Sequence, residues 1–232
     1  MKKIIAILLV LLALGTVAFA GGFTLRGGIQ YDFVNIKAVN SEDGSPLRPD
    51  DAIWRANAFG AEFGVTYNFS EKFLIYADTS LGFYNKFKLG DQEIKKGDSD
   101  KMSFLSTAEH FGAATVINLS KGLDLEVGGG LAMEYARVTT TDTVGDVTNS
   151  GEVGIFALGV GIYGNLDYSL SEKVALSFTL HPDFMFISAD HMTETESIVH
   201  DKTVASVTES LTTFGAAFSF KFSAALGVTF KF

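Results

Sequence analysis

The 232-residue sequence contains no cysteine, which limits how the chain can be held together and anchored. Without cysteine there is no disulfide framework and no lipid attached through a thiol. Proline is also scarce, with three residues in the whole chain, whereas glycine (24) and phenylalanine (21) are abundant. Few prolines leave long strands uninterrupted, because proline cannot donate a hydrogen bond to a sheet. Backbone hydrogen bonds and burial must therefore hold the fold.

Positive charge is in short supply as well. The chain has 18 Lys and Arg against 27 Asp and Glu, a formal net charge of −9. This balance excludes a general nucleic-acid binder, which needs cationic side chains to neutralise phosphates. The sequence also lacks a nucleophile elbow, a P-loop and an HExxH motif. We therefore expect neither catalysis nor a cofactor or metal.

Only one long apolar run occurs, and it lies at the N-terminus. A basic start, Met1 to Lys3, precedes the apolar residues 4–14 and the small-x-small site Ala18-Phe19-Ala20. This order predicts an export signal peptide, residues 1–20, and a single mature domain, residues 21–232. A retained membrane-spanning helix is the alternative, but it needs about 20 apolar residues. Cleavage removes two lysines and leaves 16 basic residues against 27 acidic ones, a net charge of −11.

The remaining sequence alternates between large apolar residues and small or polar residues. In one stretch Phe59, Phe63 and Val65 share a face, while Glu62 and Gly64 share the other. A period of two predicts β-strands. About eight such stretches occur, at residues 23–33, 58–69, 73–83, 102–119, 123–135, 156–168, 174–186 and 214–232.

The two faces of these strands differ in a way that separates two all-β folds. In a soluble sandwich the bulky face forms the core, and the other face is rich in charged residues and threonine. Here the second face is mainly Gly, Ala and Ser with occasional charges. In a membrane barrel the bulky residues contact lipid, and small residues fill the narrow interior. The pattern therefore favours an eight-stranded antiparallel transmembrane up-and-down β-barrel.

The connections between the stretches alternate in length. Residues 68–72, 118–122 and 169–173 are short and polar, and predict tight turns. Residues 38–51, 88–101, 138–151 and 189–209 are long and polar, and we expect them to form four long loops. Short turns on one side and long loops on the other are typical of outer-membrane barrels. An even strand number places both mature termini on the periplasmic side, with the tight turns.

The chain ends within an alternating pattern, SAALGVTFKF. Because the last strand of a barrel must pair with the first, a frayed tail is not expected there. Val228, Phe230 and Phe232 resemble the C-terminal signal by which bacterial outer-membrane proteins are recognised for insertion. The resemblance implies two partners, the outer-membrane lipid and the barrel assembly machinery. The simpler interpretation is that Phe232 is an aromatic girdle residue that happens to be the last residue of the sequence.

Charged residues on the inward face predict a network in the lumen. The register around the tight turn near Glu71 places Glu62 opposite or diagonal to Asp78, and pairing across the first long polar segment places Arg26 near Glu62. Buried charges persist only when they are paired. A second group is expected higher in the barrel: His110, Glu126, Glu134, His181, Asp183 and Lys221. These groups either plug and stiffen the lumen or form a gated polar pathway for a small-molecule solute.

Two residues break the alternation. Glu109 falls on the lipid-facing side of its stretch, and Pro182 lies inside another stretch, where it removes a donor from the ladder. A bulge or a position at the rim is our preferred explanation for both. An opening in the barrel wall is the alternative.

Two segments are similar to the OmpW-like small barrels. The first is Phe23-Thr24-Leu25-Arg26-Gly27-Gly28, and the second runs from Phe63-Gly64-Val65-Thr66-Tyr67-Asn68 to Tyr84-Asn85-Lys86-Phe87-Lys88. The ending Gly227-Val228-Thr229-Phe230-Lys231-Phe232 resembles that of OmpA-type and OmpX-type barrels. The OmpW resemblance implies an eight-stranded barrel that passes small, often hydrophobic molecules, although acidic residues on the inward face depart from that family's hydrophobic lumen.

The function expected from the sequence is thus a narrow, porin-like channel in the outer membrane. The alternative is a closed structural or adhesin-type barrel that presents its loops to a host or a neighbouring cell.

Overall fold

The computed structural model describes residues 22–37, 53–89, 92–95, 101–144, 146–200, 203–216 and 218–232. The predicted signal peptide and the first long polar segment, residues 38–51, lie outside these ranges. None of the described residues forms a helix long and apolar enough to cross a membrane.

Ten strands make up the described part of the chain. They are β1 (Gly22–Lys37), β2 (Ile53–Asn68), β3 (Phe73–Leu89), β4 (Gln92–Lys95), β5 (Lys101–Ser120), β6 (Leu123–Val144), β7 (Val147–Ser169), β8 (Val174–His200), β9 (Thr203–Gly215) and β10 (Ser219–Lys231).

Eight of the strands close into a ring. Each of β1, β2, β3, β5, β6, β7, β8 and β10 pairs with the next in antiparallel fashion, and β10 pairs back onto β1. Following paired residues once around the ring leads from Leu25 to Asn35, a stagger of ten residues. Such a stagger tilts the strands and, with eight strands, leaves an interior that side chains can fill. The predicted eight-stranded antiparallel barrel is confirmed.

The orientation of the strand faces also agrees with the prediction. Large apolar side chains are exposed all around the outer wall, among them Ile29, Phe63, Phe111, Leu131 and Phe178. A contiguous apolar surface of this kind marks contact with lipid in a closed barrel. Polar and small side chains of the same strands are buried in the lumen.

Three short connections lie at one end of the barrel, together with the C-terminus; we call it the turn end. Residues 69–72 and 170–173 are closed by serine hydroxyls, since Ser70 Oγ accepts from the Phe73 amide and Ser171 Oγ from the Val174 amide, both at 3.1 Å. The β5–β6 turn contains Gly122 at a φ of 82°, a conformation that glycine adopts without strain. The three predicted tight turns are confirmed.

At the opposite, distal end, the prediction of long loops is wrong for two of the segments. Strand β6 continues to Val144 and β7 begins at Val147, while β8 continues to His200 and β9 begins at Thr203. The ladder between β7 and β8 reaches Val147 and Ile198. These segments therefore form a four-stranded sheet, β6 to β9, that extends the barrel wall; we call it the distal sheet.

Two smaller differences concern the same end. Strand β4, within the second polar segment, pairs with residues 86–89 of β3. The last predicted stretch is divided into β9 and β10, and β8 pairs with β10 along residues 174–185 but with β9 along residues 188–200. Strand β8 therefore changes partner partway along its length.

Of the two residues that break the alternation, Glu109 lies in a regular ladder, whereas the pairing of β8 with β7 is interrupted at Pro182. Glu109 pairs with Thr79 on one side and Met133 on the other without a register shift, so the predicted bulge is wrong there. Pro182 pairs with Phe222 of β10, and the nearest register shift on β8 falls at Phe186. A bulge thus occurs in the predicted strand, but four residues beyond the proline.

Candidate functional site: a charged network inside the barrel

The inward face collects the predicted lumen residues in the interior. Alternation of side chains along each strand turns them away from lipid, and closure of the ring buries them. The buried residues are Arg26, Glu62, Asp78, His110, Glu126, Glu134, His181, Asp183 and Lys221.

Arg26 on β1 is the centre of this network. Its Nε donates to Glu62 Oε1 at 3.1 Å and its Nη2 to Asp78 Oδ1 at 2.6 Å, so two carboxylates share one guanidinium. Its Nη1 donates to the Tyr163 hydroxyl at 2.9 Å. Gly64 of β2 makes room for this arrangement, since a Cβ atom there would lie 2.2 Å from Asp78 Oδ1.

Tyr163 connects Arg26 to a second polar group nearer the turn end. Its hydroxyl donates to Glu126 Oε2 at 2.5 Å, and Asn165 Nδ2 donates to the same oxygen at 3.1 Å. Asn165 Nδ2 also reaches Asp167 Oδ1 at 3.1 Å, and the Thr229 hydroxyl donates to that oxygen at 3.2 Å. The chain of hydrogen bonds thus runs from Arg26 toward the turn end.

Two histidines stack on the distal side of Arg26. The rings of His110 and His181 lie 4.0 Å apart and nearly parallel. His110 Nε2 is 2.8 Å from Asp183 Oδ2, whereas His181 Nε2 is 3.3 Å from Asp78 Oδ2 and 3.9 Å from Glu62 Oε2. His181 therefore belongs to the Arg26 group as well as to the histidine pair.

A separate ion pair lies beyond the histidines. Lys221 Nζ of β10 donates to Glu134 Oε2 of β6 at 2.6 Å, and both side chains are almost completely buried. Gln30 Nε2 donates to Asp32 Oδ1 on the inward face of β1. Each of these buried charges thus has an oppositely charged or hydrogen-bonding partner, as burial requires.

The grouping differs from the one predicted. Glu126, expected with the distal residues, joins Arg26 through Tyr163, and His181 faces Glu62 and Asp78. Sequence reasoning missed Tyr163 as a lumen residue. Its signal was available, because it stands between Ile162 and Gly164 in the small, inward register of its stretch.

An apolar layer fills the lumen toward the distal end. Val34, Phe104, Ile155 and Met185 are buried there and pack with inward alanines. Side chains from β1, β5, β7 and β8 therefore meet across the lumen. Together with the charged network, this layer occupies the distal and middle parts of the narrow interior.

A cavity of about 640 Å³ opens at the turn end of the lumen. Its polar lining includes Thr24, Asn68, Asp124, Glu126, Asp167 and Lys231. The cavity therefore ends at the same Glu126 carboxylate that accepts from Tyr163.

The three residues of the predicted insertion signal lie on or directly after the closing strand. Phe230 and Phe232 are exposed on the outer wall, and the Phe232 amide donates to the carbonyl of Phe23 at 2.9 Å. Val228 pairs with Gly27. The last residue is thus hydrogen-bonded to β1 because β10 closes the ring, and recognition by the assembly machinery stays a prediction.

Histidine outside the lumen gives no sign of a catalytic arrangement in the described residues. His191, on the distal sheet, contacts the hydroxyls of Thr212 at 2.8 Å and Thr193 at 2.9 Å. The expectation that the chain is not an enzyme stays a prediction.

Comparisons with known proteins agree with this architecture. No protein-family model matches the sequence, and no curated protein sequence matches it. Solved structures of outer-membrane proteins are similar over nearly the whole chain, and two of them are described below. OprG, an outer membrane protein of Pseudomonas aeruginosa, is 16% identical with a TM-score of 0.51, over 92% of this chain and 96% of that chain. A major outer membrane protein of Thermus thermophilus is 12% identical with a TM-score of 0.52, over 92% of this chain and 100% of that one.

Identities this low show the fold alone. The chain has the fold of small outer-membrane β-barrel proteins, which confirms the fold that the sequence resemblance implies.

Proposed function

We propose that the protein is an outer-membrane barrel whose lumen is closed and whose distal sheet is the surface that meets partners outside the cell. The observation that carries this proposal is the filling of the lumen by side chains from opposite walls. The apolar layer around Phe104 and Met185 lies at the distal end, and the hydrogen-bonded network around Arg26 follows it.

Both parts of the filling oppose the passage of solutes. Water and ions enter an apolar constriction poorly, because its lining offers them no hydrogen bonds. Moving the network aside would break charge-assisted hydrogen bonds in an interior where unpaired charges are costly. Both the apolar layer and the hydrogen-bonded network therefore favour a closed lumen.

The distal sheet is suited to contact with partners outside the cell. It extends the wall beyond the lumen filling through continuous ladders of β6, β7, β8 and β9. Residues 138–152 and 189–209 together carry eight carboxylates and one lysine. An acidic surface of this kind favours a partner with a basic surface and weaker binding at high salt.

Electrical recording tests the closed lumen. Purified protein inserted in a planar bilayer should give no current above a lipid control, and vesicles that contain it should not swell in small sugars or amino acids. An open porin in the same bilayers shows that the assay detects a pore. Steady single-channel steps from the purified protein would contradict the proposal.

Thiol labelling tests the orientation of the barrel in the membrane. Because the chain contains no cysteine, each cysteine variant carries a single thiol. In intact cells, an impermeant maleimide should label the Glu194→Cys variant on the distal sheet. It should label the Glu172→Cys variant, in a tight turn, only after the outer membrane is permeabilised. Equal labelling of both variants in intact cells would contradict the assignment of the distal sheet to the outside.

A narrow channel for small solutes is the second candidate, and the cavity at the turn end favours it. That cavity is polar and ends at Glu126, so a rearrangement of Tyr163 and the Arg26 group would extend it into the lumen. Under this alternative, the bilayer experiment gives brief openings, and swelling of vesicles depends on the size of the solute.

A further inference from the structure

Three buried polar atoms converge in the middle of the lumen without a hydrogen-bonding partner. They are Glu62 Oε2 of β2, Asp78 Oδ2 of β3 and Nε2 of His181 on β8. The side chains that carry them belong to residues only 2%, 3% and 1% exposed. Their candidate ligand atoms lie within 4.8 Å of one another. Buried polar atoms without partners are rare and point to a group that satisfies them.

The other oxygens of the two carboxylates are already used. Arg26 donates to Glu62 Oε1 and to Asp78 Oδ1, and these bonds orient the free oxygens toward His181. The His181 ring is held on its other side by stacking on His110, which is itself fixed by Asp183. Residues that orient ligands in this way are typical of metal sites in proteins.

The spacing of the three atoms suits one metal ion. His181 Nε2 lies 3.3 Å from Asp78 Oδ2 and 3.9 Å from Glu62 Oε2. Tetrahedral ligands about 2.0 to 2.2 Å from a Zn²⁺ ion are separated by roughly 3.4 Å, so modest side-chain adjustment would complete the geometry. Three protein ligands leave a fourth position open.

The net charge of the lumen also favours a bound cation. Arg26 faces two carboxylates, and Glu126 and Asp183 are adjacent through Tyr163 and His110. A divalent cation would compensate this excess of negative charge, which is costly in a buried environment. Imidazole nitrogen together with carboxylate oxygen selects a transition metal such as Zn²⁺ over Mg²⁺ or Ca²⁺, which prefer oxygen ligands alone.

We propose that Glu62, Asp78 and His181 bind one divalent transition-metal ion in the lumen. The ion would link β2 and β3 to β8 across the barrel. Its test is separate from that of the proposed closed lumen, because bound metal is measured whether or not the purified protein conducts ions.

Metal binding to the folded protein tests the proposal directly. Wild-type protein in detergent, freed of metal with a chelator, is dialysed against micromolar Zn²⁺ and analysed by mass spectrometry for bound metal. We expect one Zn²⁺ per chain and no retained Mg²⁺ or Ca²⁺ under the same conditions. Less than about one-tenth of a Zn²⁺ ion per folded chain would overturn the proposal.

Variants of two proposed ligands locate the bound ion. Asp78→Asn and His181→Gln should each weaken Zn²⁺ binding at least tenfold, while the control His191→Gln, on the distal sheet, should retain one ion per chain. If the lumen variants bind Zn²⁺ as wild type does, the ion lies elsewhere and the proposal is wrong.

Cobalt gives a test that needs no variant. Co²⁺ added to the metal-free wild-type protein should produce the intense visible absorption of a four-coordinate site, displaced by equimolar Zn²⁺. The weak absorption of six-coordinate Co²⁺ alone would contradict the site, even if a lumen variant fails to fold.

Discussion

Glu109 and His110 are consecutive residues of β5, yet they lie in opposite environments. His110 points into the lumen, where Asp183 holds its ring nitrogen at 2.8 Å. Glu109 points to the outer wall, where its Oε1 accepts from the Thr79 hydroxyl at 2.8 Å and exposed apolar side chains such as Phe111 lie on the same face. The same backbone thus carries a polar interior and an apolar exterior.

The difference shows which interactions stabilise each side. Inside, charges are tolerated because most of them are matched to an oppositely charged or hydrogen-bonding partner on another strand. Outside, lipid provides no such partners, so a charge there is a cost that its neighbours offset only in part. The lumen should therefore be sensitive to the loss of charge, and the outer wall to its gain.

The largest effect is expected from removing the cation at the centre of the lumen. Arg26→Leu leaves Glu62 and Asp78 without compensation, and breaking a buried ion pair in this way costs about 3–5 kcal/mol of unfolding free energy. Urea unfolding in lipid vesicles, with a chelator present, measures the change. The control is Arg55→Leu, an exposed arginine of β2, which should change stability by about 0.5 kcal/mol or less. An unchanged midpoint for Arg26→Leu would show that the network does not stabilise the barrel.

Adding a charge to the outer wall should have the next largest effect. Phe111→Arg places a guanidinium among lipid tails and should cost about 2–4 kcal/mol if the site lies near the bilayer midplane. Leu119→Arg places the charge on an exposed residue of the same strand, beside the tight turn, and should cost only about 0–1 kcal/mol. Urea unfolding in the same vesicles measures both. Equal costs at the two positions would mean that the outer wall does not follow the depth of a bilayer.

A methyl group added to the lumen should have a smaller effect. In Gly64→Ala the new Cβ would lie 2.2 Å from Asp78 Oδ1 and 2.7 Å from Arg26 Nη2, so the ion pair must shift. Overpacking of this kind costs about 1–3 kcal/mol, measured by the same unfolding experiment. Gly164→Ala is the matched control, since its Cβ would meet no atom within 4 Å. Equal unfolding midpoints for Gly64→Ala and Gly164→Ala would contradict the expectation that the packed lumen is more sensitive than the outer wall to an added methyl group.

The smallest effect should be a gain. Glu109→Leu removes the carboxylate from the outer wall and should raise the unfolding free energy by about 1 kcal/mol, because acidic residues are penalised there less than basic ones. Glu71→Leu, in an exposed turn, should leave it unchanged. A loss of stability in Glu109→Leu would show that its hydrogen bond with Thr79 outweighs the cost of the charge.

Strand number, face orientation and tight turns could be predicted because each depends on local pattern. Alternation fixes which residues share a face, and Ser70, Ser171 and Gly122 mark turns within a few residues of sequence. The distal sheet was missed because its charged residues suggested loops. Its threonines and valines, such as Val147 and Thr195, are β-branched and favour strands, a signal that charge obscured.

The contacts within the lumen could be predicted only in part. Arg26, Glu62 and Asp78 lie on three consecutive strands, so sequence alone places them together. Glu126 and His181 come from strands across the barrel, and their neighbours depend on the stagger of the whole ring. The position of His181 is set by the closure of all eight strands, so it cannot be predicted from any single hairpin.

The pairing of β1 with β10 joins Thr24 to Lys231, residues from the two extremes of the described chain. Every other junction of the ring links strands closer in sequence, so this seam carries the greatest loop-closure entropy. Contacts between distant parts of a chain form slowly, and we infer that sealing this seam is the last and slowest step of assembly. Until it forms, two strand edges remain unsatisfied, and a chain in that state needs protection from its neighbours.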